Sequence, residues 1–249
     1  MTRTAVNVES KLGEALARAM TYRLLARAFG RPDAALLADL RSGAFFRDLG
    51  TALRALPSPK GLLKGLRRLR APIGDASLEQ EHTRLFNPSV NVQAPPYETE
   101  YGGAHVFMKA QQLADTAGFY RAFGLQVAHA FHDRPDHVAV ELEFMHAAVL
   151  QEGRALARSQ AEKAAVCRDA QAKFLNDHLG RWLPTYAERL QAEDPDGFYA
   201  ALASLTRQFV AAETARLGVE PAPTGRYRPR KPEPTLECPA AGGEACVQP

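Results

Sequence analysis

The sequence predicts an all-α fold, built as a single globular helical domain of about eight to ten helices. Apolar residues make up 46% of the 249 residues. Many of them are Ala and Leu, which favour helices, whereas the β-favouring Val, Ile and Thr are scarcer. Apolar residues recur at helical spacing through most of the chain, and no segment alternates like a strand for more than a few residues. A chain of this length can bury a sizeable core in one domain.

The individual helices follow from this periodicity and from the residues that begin or end helices. A four-residue repeat of apolar side chains in residues 12–24 predicts the first helix. Residues 138–150 are apolar almost all round, which predicts a buried central helix. The predicted helices cover residues 10–29, 33–40, 42–56, 60–70, 77–86, 105–123, 136–158, 160–179 and 196–217, with a short helix around Tyr186 and Leu190.

Several of these helices carry recognisable start and stop signals. Asp33, Ser42 and Asp136 precede apolar segments and have side chains that accept hydrogen bonds from the free amides of a first turn. Ser77 opens a Ser-Leu-Glu-Gln segment that fits a capping box. Gly and Pro in residues 180–184 predict a break between two helices.

Composition excludes some classes of function. The net charge is +3, with 31 basic and 28 acidic residues, which is too balanced for a general nucleic-acid binder. Lys60–Arg70 is locally basic, and its leucines share one helical face. We interpret this segment as the solvated face of an amphipathic helix. The alternative is a surface for an acidic or phosphate-bearing partner.

The termini and the cysteines predict a reduced, cytoplasmic protein. Cys167, Cys238 and Cys246 do not form a disulfide framework. No segment approaches the roughly 20 apolar residues of a membrane span, and no signal-peptide core follows the start. Residues 219–249 are rich in Pro and Gly, so we expect a helical domain over residues 1–218 and a disordered tail after it.

One enzyme hypothesis rests on two Glu-x-x-His pairs. The pairs are Glu79 with His82 and Glu143 with His146. Two such pairs and two further carboxylates hold the metals of helical di-iron proteins, and the further candidates are Glu14 and Glu213. In the competing interpretation the second pair satisfies itself in the interior and the first histidine is exposed. We expect no bound metal, no cofactor and no catalytic residue.

The longest stretch without helical period is Asn87–Gly103, and a loop of this length is often functional. Within it, Pro95 and Pro96 stiffen a segment that carries two tyrosines and two glutamates. Tyrosines suit peptide binding, and carboxylates attract an arginine-bearing ligand. A proline-stiffened loop whose tyrosines pack inward is an equally good interpretation.

Three motifs in one order resemble the TorD/DmsD family of redox-enzyme maturation chaperones. They are the helix Glu79–Phe86, the segment Pro95–Tyr101 and the segment Pro135–Met145. The last two resemble the family's Tyr-x-Ser-x-Tyr loop and its Pro-x-Asp-His hinge. Thr99 replaces the usual Ser of the loop. The hinge reads Arg134-Pro135-Asp136-His137, one residue shorter than the Glu-Pro-x-Asp-His that members often have.

The resemblance implies an all-helical cytoplasmic chaperone that does no bond chemistry. Its partners would be the apo catalytic subunit of a molybdopterin oxidoreductase and the twin-arginine signal peptide of that subunit. The chaperone itself would be a monomer or a domain-swapped dimer. The family's hinge residues map to Asp136 and His137, and its loop tyrosines to Tyr97 and Tyr101. We expect these residues to line one client-binding groove with Leu85, Phe86 and Glu98.

Overall fold

The all-α prediction is confirmed by a computed structural model, which describes residues 3–70, 75–87, 93–102, 106–125 and 134–224. These ranges contain ten α-helices, one short 3-10 helix and no strand. The α-helices are α1 (Arg3–Phe29), α2 (Ala34–Arg41), α3 (Ala44–Arg54), α4 (Pro59–Leu69), α5 (Asp75–Phe86), α6 (Val106–Ala122), α7 (Val138–Ala157), α8 (Ala161–Asp177), α9 (Leu179–Glu193) and α10 (Phe198–Leu217).

Helix α7 lies at the centre of the fold, as its nearly continuous apolar sequence predicts. It packs along α1 on one side and α8 on the other, while α10 packs against α9 and α4. Twelve of its twenty residues are buried, which include Leu142, Phe144 and Met145. A helix that is apolar all round must be covered on every side, and this places the first turn of α7 inside the molecule.

Several of the predicted helix signals are confirmed. The Asp33 carboxylate accepts a hydrogen bond from the Leu36 amide at 2.6 Å and caps α2. Helix α10 ends at Gly218, whose φ of +69° is the left-handed conformation that glycine adopts without strain. The basic side chains of residues 60–70 are exposed and its leucines face the core, so this segment is an amphipathic helix.

Three predicted helix starts are wrong. Helix α1 begins at Arg3 rather than near Ser10, because no residue in between breaks a helix. Helix α5 begins at Asp75, so Ser77 lies inside the first turn instead of capping it. Ser42 has helical backbone angles and ends α2, which leaves Gly43 as the residue that precedes α3.

The predicted break at residues 180–184 is also wrong. The chain turns at His178, and both Gly180 and Pro184 lie inside α9. Pro184 removes one backbone donor from that helix. The helix continues because Trp182 and Tyr186, on either side of the proline, are both buried in the core. Tertiary packing therefore overrides the local signal.

The last described residues pack against α9. The Thr224 amide donates to the Arg181 carbonyl oxygen at 3.1 Å, and Arg181 Nε donates to the Ala222 carbonyl oxygen at 3.1 Å. Residues 225–249, with Cys238 and Cys246, lie outside the described residues, so a disordered tail stays a prediction there. None of the described helices has the length and apolar composition that a bilayer span requires.

Candidate binding site

The structure brings the predicted loop and the predicted hinge into direct contact. Residues 93–102 cross the start of α7, and Tyr97 and His137 form an antiparallel bridge. The Glu98 amide donates to the Asp136 carbonyl oxygen at 3.0 Å, and the Val138 amide donates to the Pro96 carbonyl oxygen at 2.9 Å. We call residues 93–102 and 134–138 together the loop–hinge junction.

His137, and not Asp136, caps the central helix. The His137 side chain accepts a hydrogen bond from the Ala139 amide through Nδ1 at 3.1 Å. Its ring lies 5.3 Å from the Tyr97 ring and 6.0 Å from the Phe86 ring. His137 therefore joins α5, the loop and α7, and the prediction that Asp136 caps α7 is wrong.

Asp136 instead binds the loop and a cation. Its carboxylate is fully buried and accepts from the Thr99 amide at 3.0 Å. The Arg134 guanidinium also donates to it, from Nε to Oδ1 at 3.0 Å and from Nη2 to Oδ2 at 2.8 Å. These bonds turn the carboxylate away from the first turn of α7, so it cannot serve as the cap.

Arg134 makes three further contacts in the junction. Its guanidinium donates to Glu100 Oε1 at 3.0 Å and to the Thr99 hydroxyl. It also lies 4.4 Å from the centroid of the Tyr97 ring. Burial would raise the pKa of Glu100, but hydrogen bonds from Lys109 and Arg134, and the charges of both, lower it below its ordinary value.

The second tyrosine of the loop points into the core. Tyr101 is fully buried, and its hydroxyl donates to the Pro95 carbonyl oxygen at 2.9 Å. Its ring lies 5.3 Å from that of Trp182 and 6.3 Å from that of Tyr186. Tyr101 therefore anchors residues 93–102 against α9.

Glu98 belongs to a buried polar cluster beneath the loop. Glu98 Oε2 lies 3.0 Å from His178 Nδ1, and Trp182 Nε1 donates to Glu141 Oε2 at 3.0 Å. Burial raises the pKa of Glu141 well above its ordinary value, and the charges of Glu98 and Asp136 raise it further. Burial therefore favours the neutral form of the Glu141 carboxyl.

All seven residues predicted to line a client-binding groove are buried, so the structure shows no open groove formed by them. Their exposed fractions are 1% for Leu85, 7% for Phe86, 6% for Tyr97, 5% for Glu98, 0% for Tyr101, 0% for Asp136 and 3% for His137. Six of them meet at or beside the junction through the contacts above, and Leu85 packs in the core.

The two Glu-x-x-His pairs are not arranged as a metal site. Glu143 is exposed, and His146 Nδ1 lies 2.8 Å from the Ala19 carbonyl oxygen, so the expected pairing of Glu143 with His146 is wrong. His82 is half-buried, with its ring stacked 4.4 Å from that of Phe86, and not exposed as expected. Among the described residues, no three His, Cys, Asp or Glu side chains lie close enough to hold a metal.

Sequence reasoning missed a buried cluster around Arg18. Arg18 is 1% exposed. It donates from Nε to both oxygens of Glu213, at 2.8 and 2.9 Å, and also to Glu152 at 3.0 Å and to Gln171 at 2.6 Å. The sequence signal was available, since Arg18 lies on the same helical face as the apolar residue four positions later, Tyr22. Glu213, a candidate metal ligand from sequence, is thus the ion-pair partner of an arginine.

Comparison with known proteins finds one family. Residues 53–188 match the family model described as nitrate reductase delta subunit. The chaperone protein TorD of Photobacterium profundum is 31% identical. The match covers 57% of this chain and 66% of that relative's length. The perchlorate reductase assembly chaperone protein of Dechloromonas aromatica is 29% identical, over 82% of this chain and 92% of the relative. The selenate reductase assembly chaperone protein of Thauera selenatis is 36% identical, over 43% of this chain and 53% of the relative.

The family match covers more than half of the chain and includes the loop–hinge junction. The relatives carry the names of chaperones and assembly proteins. The helical architecture and the order of the three motifs agree with this assignment. The chain therefore belongs to the TorD family of redox-enzyme maturation chaperones.

Proposed function

We propose that this protein is a cytoplasmic chaperone for the catalytic subunit of a molybdopterin oxidoreductase. It binds the apo form of that subunit and its twin-arginine signal peptide, and it delays export until the cofactor is inserted. It performs no bond chemistry itself. The names of the perchlorate and selenate reductase assembly relatives support a reductase as the client.

The observation that carries this proposal is the chemistry of the loop–hinge junction. The rings of Tyr97 and Phe86 both pack against His137, and the carboxylates of Glu100 and Asp136 both bind the Arg134 guanidinium. A twin-arginine leader combines two cations with an apolar stretch, and such a surface complements both. We propose that the client binds at this junction, where the Glu100 and Arg134 side chains are 30% and 38% exposed.

A first experiment tests the partner. The tagged protein is isolated from its native cells, grown under conditions in which molybdopterin reductases are made, and the co-purifying proteins are identified by mass spectrometry. We expect a reductase catalytic subunit that still carries its leader and lacks its cofactor. If the purified protein captures no such subunit and binds no leader peptide in calorimetry, the proposed function is wrong.

A second experiment tests the site by a single substitution. Because Tyr97 and Tyr101 are buried, replacing either by Ala would cost packing as well as binding. The half-buried Glu100 is a cleaner probe. Removing its charge in Glu100→Gln should weaken leader binding by about threefold to tenfold at low salt, and less at high salt.

The matched control is Glu143→Gln, which removes the same charge from an exposed position on α7. It should bind the leader as the wild type does. Equal affinities for the wild type and Glu100→Gln at low salt, measured by calorimetric titration, would place the client elsewhere on the protein.

A further inference from the structure

Arg134 occupies a site that contacts two edges and one flat face of its guanidinium group. Asp136 accepts two hydrogen bonds along one edge, at 3.0 and 2.8 Å, and Glu100 accepts one from the other terminal nitrogen at 3.0 Å. Thr99 contributes a hydroxyl, and the Tyr97 ring lies against the flat face at 4.4 Å. We call these four partners the guanidinium cage.

This arrangement selects a guanidinium over an ammonium group. A planar fork with donors along two edges matches a bidentate carboxylate and an aromatic face at once. A lysine would be a point charge that satisfies one carboxylate and leaves the remaining acceptors without donors. The cage therefore recognises arginine by shape as well as by charge.

Other parts of the protein hold the walls of the cage. The Thr99 amide binds the Asp136 carboxylate at 3.0 Å, and Lys109 binds Glu100 at 2.8 Å. The Tyr97 ring packs edge-on against His137 at 5.3 Å. Because these contacts do not pass through Arg134, the cage keeps its acceptors in place when that side chain leaves.

The occupant is also within reach of solvent. The Arg134 side chain is 38% exposed, unlike the 2% of Arg18 in its buried cluster. Its partner Asp136 is fully buried, so that carboxylate needs a cation beside it, whether Arg134 or another arginine supplies one. A second arginine presented from solvent competes with Arg134 for the same acceptors, against the advantage that Arg134 has from its attachment to the chain.

We propose that the cage is an arginine-recognition site which the protein fills with its own Arg134, and that an arginine of a bound polypeptide takes its place. The inference rests on the proposed function only for the identity of that polypeptide, the twin-arginine leader. Arg134 then acts as an internal competitor that sets the affinity of the empty chaperone for its client.

Small probes test the cage without a client. Arg134→Ala is titrated with acetyl-arginine methylamide and with acetyl-lysine methylamide. The variant should bind the arginine probe about tenfold more tightly than the lysine probe, and about tenfold more tightly than the wild type binds it. The control is Arg168→Ala, since Arg168 is also 38% exposed and pairs with a buried carboxylate, Glu152, at 3.3 Å. Arg168→Ala should gain no preference for arginine.

The opposite interpretation is that Arg134 only clamps the junction. A folded Arg134→Ala that does not distinguish the two probes would overturn the proposal. If that variant does not fold, Arg134→Lys is titrated with the same two probes, because it keeps a cation at the junction. Failure of both variants to fold, with no recovery of helical circular dichroism when the arginine probe is added, would also overturn it.

A leader peptide and its Arg-to-Lys counterpart then connect the cage to the client. Arg134→Ala should bind the arginine leader more tightly than the wild type does. The two proteins should bind the lysine leader with equal affinity. Binding of the arginine probe by Arg134→Ala, together with no client binding by any form, would reject the proposed function and leave the cage intact. Client binding without a probe preference would reject the cage alone.

Discussion

Glu141 is a buried acid in the polar cluster beneath the loop. Its carboxyl is fully buried, beside Glu98 and Asp136, and the Trp182 indole donates to it at 3.0 Å. Burial is the main reason that its pKa is raised well above the ordinary value of 4.5. The folded protein therefore keeps a proton that the unfolded chain releases above that pH.

This raised pKa predicts that stability falls as the pH rises. The contribution of Glu141 is fully present below about pH 4.5 and is lost as the pH approaches the folded-state pKa. Glu141→Gln keeps an acceptor for Trp182 and cannot ionise, so its free energy of unfolding should exceed that of the wild type at pH 8 and change less with pH. Urea unfolding across the pH range measures this. The control is Glu143→Gln, exposed on the same helix, whose free energy of unfolding should change with pH as that of the wild type does. If Glu141→Gln also gives the wild-type pH dependence, Glu141 does not have the raised pKa.

Among the helices, α9 is where local preference and tertiary packing disagree most. Its first turn contains Gly180, which helix propensity disfavours, and the core nevertheless holds the helix together through Trp182 and Leu183. A Cβ atom at Gly180 would lie 2.3 Å from the Leu175 carbonyl oxygen and 2.7 Å from Pro221. The glycine thus permits the close approach of α8, α9 and residues 219–224.

Gly180→Ala should therefore destabilise the protein although Ala is the better helix former. Forcing a methyl group into this contact costs about 1–3 kcal/mol of unfolding free energy. Gly118→Ala in α6 is the control, because a Cβ there meets nothing within 4 Å. That variant should gain up to about 1 kcal/mol from helix propensity. If chemical denaturation gives both variants a higher free energy of unfolding than the wild type, the first turn of α9 has room for a methyl group.

At the scale of the whole molecule, the helical domain extends past the last helix. Val219 packs against the core, and residues 221–224 lie along α9 through Pro221 and the two hydrogen bonds to Arg181. The domain boundary after residue 218 stays a prediction, and these contacts suggest testing it a few residues further along the chain. Residues 225–249 still carry the composition of a tail.

Two truncations locate that boundary. A chain that ends at Thr224 should keep the melting temperature of the full protein, because it retains every described contact with α9. A chain that ends at Gly218 should lose about 1–2 kcal/mol with those hydrogen bonds and the packing of Pro221. That loss corresponds to a decrease of about 2–4 °C for each kcal/mol. Equal melting temperatures for the two truncated chains would show that residues 219–224 add no stability. A melting temperature below that of the full protein for the chain that ends at Thr224 would show that residues 225–249 pack against the domain.

The sequence by itself determined the all-α class, the order of the helices, the buried central helix and the meeting of the loop with the hinge. Helical periodicity and most caps are local properties, since the hydrogen bonds of a helix join residues four apart. The three motifs resembled one family strongly enough for its helical fold to be expected. Individual helix ends were less secure because Ser42 and Ser77 look alike as caps in sequence.

Only the tertiary structure decided which partner each polar side chain takes. Arg18 meets Glu213 across 195 residues, and the Arg134 guanidinium binds Glu100 across 34, which no spacing rule anticipates. The choice of His137 over Asp136 as the cap depends on where the loop places Thr99 and where the hinge places Arg134. A buried polar group must find a partner wherever the packed helices put one, and that position is a property of the whole fold.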